Sequence, residues 1–285
     1  ETLSWLAVEA GTHTLANGQV IRAGSVLTGD SPVEVGLGGT FDTTPVALAQ
    51  IVTVNGAQAA TTRIEDVTAA SFEVRAQEEE GNDDFHAVEE IDWIALEQGG
   101  SAAGGLLATL TGNTMTHAAQ NVGFGGSFSG TPALLADMQT LDGLDTATVR
   151  QTSLDAAGTS LFIEEEQSAD AEIAHTTENV GLVALDQGAL TGETVTGDAI
   201  GEAGTVQVTQ SGPNGWTRVN FSQALDDPSV VMGPLSFNGA QPASVRVRDV
   251  TQTGFEFQLD ESDCLDGGPP AETISFLAIA AGADT

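Results

Sequence analysis

The sequence predicts an all-β protein made of three tandem antiparallel β-sandwich modules. One eleven-residue segment, which opens on Glu and closes on Gly, occurs at Glu1–Gly11, Glu89–Gly99, Glu178–Gly188 and Glu272–Gly282. The four starts lie 88, 89 and 94 residues apart, and a near-constant period indicates repeated modules. Between these segments run short apolar stretches bounded by Gly, Asn and Asp, a rhythm typical of β-sandwiches.

Each of these Glu-to-Gly segments is predicted to be a β-strand. In the first copy Leu3, Trp5 and Ala7 alternate with the residues at positions 2, 4 and 6, and Ile274 and Phe276 hold the corresponding places in the fourth. A period of two with β-branched and aromatic residues favours a strand over a helix.

The period divides the chain into an extra copy of the terminal strand at residues 1–11 and modules at residues 12–99, 100–188 and 189–285. Inside the modules, Arg63 follows Phe41 by 22 residues and Arg150 follows Phe128 by 22. Arg246 follows Phe221 by 25, because three residues are inserted before Pro228 in the third module. The agreement between these Phe-to-Arg spacings, apart from the one insertion in module 3, indicates that the three modules are duplicates of one unit.

The composition is strongly acidic. The 285 residues include 41 Asp and Glu against 7 basic residues, no Lys and no Tyr, for a formal charge of −34. Nucleic acid is therefore excluded as a favoured partner, since its phosphates would be repelled. Because 40% of the residues are apolar and strand-patterned, the acidity indicates a folded protein with a solvated acidic shell rather than disorder. High salt would screen that shell, which favours a saline or marine setting.

Three further features of the sequence narrow the kind of protein it can be. Cys264 is the single cysteine, so no intrachain disulfide or Cys-rich metal site is expected. No apolar run is long enough to span a membrane as a helix. Glu1 is not an initiator residue, which indicates a processed product or a segment of a longer protein.

An ordered set of short motifs carries a family resemblance. F-x-x-x-P, V-x-L-A, N-G-A-Q, R-x-x-D-V-T-x-x-x-F-E-V and E-x-x-x-W-L-A-V-E-x-G follow one another, best at 40–98 and 219–282 and more weakly at 110–188. This series resembles the H-type lectin domain, whose tandem versions occur in secreted bacterial proteins. The resemblance implies a six-stranded antiparallel sandwich that assembles in threes, binds sugars such as N-acetylgalactosamine, and lies outside the cell or on its surface.

The family's sugar site does not carry over residue by residue. An Arg of the family's strand is matched in all three modules, but the second Arg four residues earlier is replaced, as is the family's Thr-Trp pair. The resemblance therefore implies the fold without the known sugar site. The matched positions are Arg63, Arg150 and Arg246, and the replaced ones are Ala59, Thr146 and Pro242.

An acidic loop followed by a His is the sharpest cluster, and it occurs in the first two modules. Calcium prefers six to eight oxygen ligands, so calcium is the candidate cofactor. The open alternatives are plain solvation of a surface loop and a His–Glu pair that orients the loop. The candidate residues are Glu78, Glu79, Glu80, Asp83, Asp84, His86 and Glu89 in the first module, and Glu164, Glu165, Glu166, His175 and Glu178 in the second.

The three repeated Arg residues and one Trp are the other candidate ligand-binding residues. The preferred interpretation of Arg63, Arg150 and Arg246 is a structural anchor, partly buried and paired with a carboxylate such as Asp66 or Asp249. Ligand contact is the alternative. Trp5 and Trp93 occupy the repeated strand, where Leu182 and Phe276 replace them, so both are predicted to pack in the core. Trp216, at a predicted loop-to-strand boundary, is the best aromatic candidate for a binding surface.

No pattern points to catalysis. The sequence has no G-x-S-x-G, P-loop or H-E-x-x-H motif, and its four His residues have no metal-ligand spacing. The favoured function is that of a non-catalytic extracellular or surface protein that binds glycans for adhesion, with affinity raised by multivalency. The alternative is a structural subunit of a filament, surface layer or virus-like particle assembled through strand pairing. Either way the expected partners are glycans or neighbouring copies, and the chain is expected in an oligomer or a larger assembly.

Overall fold

A computed structural model describes residues 11–82, 85–192, 199–262, 265 and 267–281. The described chain is built from 22 strands and one 3₁₀ turn at Ala102–Gly104. The predicted all-β sandwich class is thereby confirmed. None of the helices in this part of the chain is long and apolar enough to cross a membrane.

Residues 11–96 form module 1. Its inner sheet has the order β1-β2-β7-β4 and its outer sheet the order β3-β6-β5, with every pairing antiparallel. The strands are β1 (Gly11–Thr14), β2 (Val20–Thr28), β3 (Val33–Gly36), β4 (Val46–Ile51), β5 (Ala60–Glu65), β6 (Ser71–Glu78) and β7 (Glu89–Leu96).

Residues 99–185 form module 2 on the same plan, with an inner sheet β11-β14-β9-β8 and an outer sheet built on β10-β13-β12. The strands are β8 (Gly99–Ser101), β9 (Leu106–Met115), β10 (Gln120–Gly123), β11 (Ala133–Met138), β12 (Ala147–Leu154), β13 (Gly158–Glu165) and β14 (Glu178–Leu185).

Residues 188–281 contain module 3, with an inner sheet β15-β16-β22-β18 and an outer sheet β17-β21-β20. One short strand, β19, pairs in parallel with β12 and so joins module 3 to module 2. The strands are β15 (Gly188–Thr191), β16 (Ala199–Val208), β17 (Thr217–Asn220), β18 (Ser229–Met232), β19 (Leu235–Ser236), β20 (Ala243–Thr251), β21 (Gly254–Glu261) and β22 (Glu272–Ile279).

The last three Glu-to-Gly segments supply β7, β14 and β22, which lie inside the inner sheets and are buried along nearly their whole length. One face of each packs into its own sandwich. Trp93, for example, meets Phe72 edge-to-face at 5.9 Å between ring centroids, which confirms its predicted core position. Residues 1–10, which include Trp5, lie outside the described residues.

The other face of each segment packs against the other two modules. The same two positions of every copy enter one shared apolar cluster, so the three inner sheets surround a common axis. Burial on both faces explains why these segments are near-continuous apolar runs rather than clean alternations. The shared positions are Ile94 and Leu96, Val183 and Leu185, and Leu277 and Ile279.

This arrangement covers one edge of each inner sheet. A strand edge exposes unpaired N–H groups, and side chains from a neighbouring module accept from them here. One such bond at each boundary is Ala47 N–H to Gln139 Oε1 at 2.9 Å, Leu134 N–H to Ser275 Oγ at 2.9 Å, and Val230 N–H to Asp92 Oδ2 at 2.8 Å. The edges of β4, β11 and β18 are therefore occupied within the chain.

Candidate functional site

The first residue of each described Glu-to-Gly segment is a buried carboxylate held by a turn of its own module. In module 2, Glu178 accepts backbone N–H groups from Asp142 and Gly143, both at 2.9 Å, and the hydroxyl of Thr140. Glu89 and Glu272 are bound in the same way by the corresponding turns, which follow the edge strand of each inner sheet.

An Arg from a neighbouring module reaches each of these carboxylates. Arg63 of module 1 pairs with Glu178 of module 2 at 2.7 Å. The other two pairs are Arg150 of module 2 with Glu272 of module 3 at 3.7 Å, and Arg246 of module 3 with Glu89 of module 1 at 3.2 Å. The three pairs run from module 1 to 2, 2 to 3 and 3 to 1, so they close a ring, which we call the Arg–Glu ring.

Each Arg of the ring also donates to backbone carbonyls of the module it reaches. The bonds are Arg63 to Gly143 O at 3.0 Å, Arg150 to Ser236 O at 2.8 Å and Arg246 to Gln58 O at 3.0 Å. Arg150 additionally binds Glu164 of its own module. Charged hydrogen bonds in a buried setting are strong and directional, so these contacts fix the module boundaries.

The carboxylate anchoring predicted for the three Arg is present, but the partners named for it from the sequence were wrong. Asp66 and Asp249 are exposed and have positive φ values of 52° and 49° beside the hairpin turns of their outer sheets. The Arg side chains point away from those turns and toward the next module. Their exposed fractions are 0–2%, so a dissolved ligand has no direct access to them.

Two of the three boundaries add a buried His to the ring. His86 lies between Glu78, 2.9 Å from its Nδ1, and Glu89, 3.2 Å from its Nε2. His175 lies in the same way between Glu165 at 2.6 Å and Glu178 at 3.3 Å. The His–Glu pairing that the sequence suggested is thus present in both modules, and each His has a carboxylate on both sides.

These contacts shift the protonation of the boundary groups. The hydrogen bond with Glu89 raises the pKa of His86 above its usual value. Burial works to raise the pKa of Glu89, but bonds from His86, the Gly56 N–H and Thr53 outweigh it and hold that pKa at about 2. Opposing burial and bonding act on Glu178 too, and its pKa is likewise about 2. The charged carboxylate is therefore the stable form of both Glu89 and Glu178.

Module 3 replaces the His with a proline ring. A Cβ added at Gly56 would lie 2.5 Å from Cε1 of His86, and one at Gly143 would lie 2.5 Å from Cε1 of His175. At the corresponding Gly239, the nearest atom is Cδ of Pro270 at 2.7 Å. The turn glycine is thus required in every module, because a ring packs against its backbone. Cys264, in the same loop as Pro270, lies outside the described residues.

The acidic residues proposed for calcium serve mainly as internal acceptors. Glu166 accepts the backbone N–H of Glu80 at 2.6 Å, and burial together with Asp145 and Glu166 raises the pKa of Glu80 to about 7. Within the described residues, no group of three or more His, Cys, Asp or Glu has an arrangement able to hold a metal ion. The predicted ligands Asp83 and Asp84 lie outside that part of the chain. Glu79 is buried at the axis beside Thr146 and Pro242.

Trp216 is half-buried immediately before β17, at the predicted loop-to-strand boundary. The guanidinium of Arg248 stacks over its ring at 3.9 Å and also pairs with Glu256 at 2.9 Å. One face of the indole is therefore already covered by a cation of the same module.

A feature that sequence reasoning missed is a groove of about 600 Å³ between modules 1 and 3. Glu90 and Asp92 of β7 line one wall, and Asp226 and Asp227 line the other. Two signals could have located it: the three-residue insertion before Pro228 and the presence of a carboxylate in an otherwise apolar strand.

The fold and its boundaries define a three-module β-sandwich protein closed around one axis. The chain is 30% identical to halomucin of Haloquadratum walsbyi over 191 residues, which are 64% of this chain and 2% of that protein. The chain thus spans about 2% of the length of this curated relative. No family model matches the sequence, and no solved structure matches the chain. The resemblance to H-type lectin domains stays a prediction.

Proposed function

We propose that the chain is a non-catalytic part of an extracellular or surface protein adapted to salt, and that it binds glycans for adhesion. The observation that carries the proposal is the Arg–Glu ring, which fixes three like modules in one body. Surfaces held in fixed relative positions bind a multivalent partner more tightly than separate modules do, because the second contact is intramolecular.

The similarity to halomucin supports an extracellular or surface location. The charge of −34 supports a protein that stays soluble in strong salt, where self-repulsion is screened. The same charge disfavours acidic glycans, because few cations face outward. Arg63, Arg150 and Arg246 are already paired with carboxylates in the Arg–Glu ring.

Binding is favoured over catalysis by how the buried ionisable groups are used. A catalytic acid or base needs a proton that can move to a substrate. His86 and His175 instead have both ring nitrogens bound to carboxylates, and Glu89 and Glu178 are saturated by hydroxyl, backbone and Arg donors. These groups support a structural boundary rather than a reaction.

The second candidate is a structural subunit that polymerises by strand pairing. It is disfavoured among the described strands, because the edges of β4, β11 and β18 are covered within the chain. The opposite inner edges, β1, β8 and β15, are only three or four residues long. Residues 1–10, the extra copy of the repeated strand, lie outside the described residues, so this alternative depends on them.

A glycan array read in high KCl, with calcium and separately with chelator, tests the proposal. We expect binding to neutral or amine-bearing glycans and none to sulfated or uronic glycans. Absence of binding in both buffers would overturn the proposal. The mass in solution distinguishes the two candidate functions. Head-to-tail polymers in the same preparation would favour the structural subunit, whereas a discrete species favours the adhesion protein.

A further inference from the structure

One tripeptide of module 3 has the acceptor pattern for N-linked glycosylation. Asn220, Phe221 and Ser222 match N-x-S, in which the middle residue is not Pro. The sequence contains nine Asn residues, and none of the other eight has Ser or Thr two positions later. A motif this short also occurs by chance, so its weight depends on where the folded chain places it.

Both polar residues of this acceptor tripeptide replace glycines of the repeat. Asn220 is the last residue of β17, and the equivalent strands β3 and β10 end on Gly36 and Gly123. Ser222 follows two positions later, where both other modules again have glycine. Modules 1 and 2 form the same outer sheet without these side chains, so the common fold does not require them.

The side chain of Asn220 is open to solvent. Asn220 is exposed, whereas its neighbours Val219 and Phe221 are buried in the apolar core of module 3. A Cβ added at the equivalent Gly36 or Gly123 would meet no atom within 4 Å, so a side chain at this strand end points away from the protein. Among the described residues, none makes a hydrogen bond with the Asn220 amide, and its nitrogen is therefore accessible.

The strand opposite Asn220 contributes no side chain at this corner. Gly254 lies across from Asn220, with a φ of 143°. A Cβ there would lie 2.0 Å from the carbonyl oxygen of Val219 and 2.9 Å from Cα of Asn220, so only glycine fits. Space for a bulky group on Asn220 is thus a consequence of the turn that joins β20 to β21.

We propose that Asn220 is the acceptor of an N-linked glycan, with Ser222 as the recognition hydroxyl. In the transfer, Asn220 Nδ2 forms a bond to the anomeric carbon of an oligosaccharide carried on a lipid phosphate. The bond from that carbon to the phosphate oxygen breaks, its electron pair stays on the phosphate, and the amide nitrogen gives up one proton.

The proposal depends on the extracellular or surface location and not on glycan binding, because the acceptor pattern is used in exported chains. A glycan also keeps a surface hydrated without charge. Salt screens the repulsion between carboxylates but not this hydration, so the glycan would add to solubility where the acidic shell is least effective.

The folded chain fixes the order of events. Ser222 Oγ donates to Glu202 Oε2 at 2.6 Å, and the Ser222 N–H donates to the same oxygen at 2.7 Å. The ring of Phe221 lies 5.8 Å from that of Phe255 and 6.4 Å from that of Phe276 between centroids. The hydroxyl and the middle residue are therefore occupied in the folded module, so the glycan is transferred before this part of module 3 folds.

Mass spectrometry of the exported full chain tests the assignment. The chain is produced in a halophilic host whose own surface proteins carry Asn-linked glycans, and it is recovered from outside the cells. Trypsin cuts after Arg218 and Arg246, so Asn220 falls in one peptide, residues 219–246, together with Asn238. We expect the added mass of a glycan on Asn220 and none on Asn238, which has Ala at the third position.

Three variants separate the motif from its surroundings. Asn220→Gln removes the acceptor and Ser222→Ala removes the hydroxyl, and we expect each to abolish the modified peptide. Ser222→Thr is the matched control, because it keeps a hydroxyl at the third position and should retain the glycan. Thermal unfolding verifies that each exported variant is folded.

An unmodified peptide 219–246 from the exported parent chain would overturn the proposal and leave the glycan-binding function standing if the array is positive. A glycan on Asn220 that survives Ser222→Ala would overturn the role of the hydroxyl. A modified Asn220 combined with a blank array would instead overturn the adhesion function and support the acceptor site.

Discussion

Replacing Arg63 by Met opens the Arg–Glu ring at one boundary while keeping a long apolar side chain. The change removes the 2.7 Å ion pair with Glu178 and the 3.0 Å bond to Gly143 O. Both side chains of the pair are fully buried, so Glu178 loses its neighbouring cation without gaining water. Breaking one partner of a buried ion pair costs about 3–5 kcal/mol.

Urea unfolding at constant high KCl measures this loss, because a buried pair is only weakly screened by salt. In thermal unfolding each kcal/mol corresponds to roughly 2–4 °C for chains somewhat shorter than this one, so a fall of roughly 10 °C is expected. The double variant with Glu178→Gln should cost less than the sum of the single changes, because it removes the orphaned charge.

Arg248→Met is the matched control, since it removes the same charge from the outer surface. The Arg248 side chain is 38% exposed where it pairs with Glu256, and exposed pairs contribute at most about 1 kcal/mol. If Arg63→Met lowered stability no more than Arg248→Met does, the assignment of the ring as the closure of the modules would fail.

Further predictions concern the turn glycine and pH. Gly56→Ala should lower the free energy of unfolding by more than about 1 kcal/mol, because the added Cβ would lie 2.5 Å from the His86 ring. The Cβ added by Gly36→Ala meets nothing within 4 Å, so this control variant should be near neutral in urea unfolding. Burial raises the pKa of Asp137 to about 7, so the folded chain keeps a proton that the unfolded chain releases and stability falls as pH rises from about 4 to about 7. Asp137→Asn should flatten that fall by up to about 1.4 kcal/mol per pH unit, and an unchanged slope would contradict the assignment. His86, whose pKa is also raised, contributes stability that is lost as the pH rises above about 6.5. Glu89, with its pKa of about 2, loses its contribution as the pH falls below about 4. We therefore expect maximum stability near pH 4–5 in a pH series at constant salt.

The strands and the repeated segment could be predicted because their signals are local. Leu3, Trp5 and Ala7 predict a strand by alternation alone, and the equivalent Trp93 is indeed in a sandwich core. Burial of the second face of this strand could also be predicted, since Ile94 and Leu96 place apolar residues where the alternation calls for polar ones. Such a run indicates burial on both sides without saying what covers it.

The closure of the modules could not be predicted from spacing. Arg63 and Glu178 are 115 positions apart, and nothing in a repeat period tells which module an Arg side chain enters. Local reasoning therefore paired the Arg with nearby Asp66, which is exposed. The available signal was scarcity: three of only seven basic residues occupy the same place in the repeat.

The groove was missed because departures from the repeat were read as irregularities. The insertion before Pro228 was visible as a changed spacing, and Asp92 as a carboxylate between Ile91 and Trp93. Only the packing of module 3 against module 1 brings the two features to the same place. In a duplicated chain, positions that break the repeat merit separate attention, because the common fold does not require them.

Small-angle X-ray scattering in high KCl tests most directly whether the three modules close into one body. A compact chain of this length has a radius of gyration of about 19 Å, and the closed arrangement predicts that value together with the mass of a single chain. An elongated envelope with three separate lobes, at the same single-chain mass, would contradict closure.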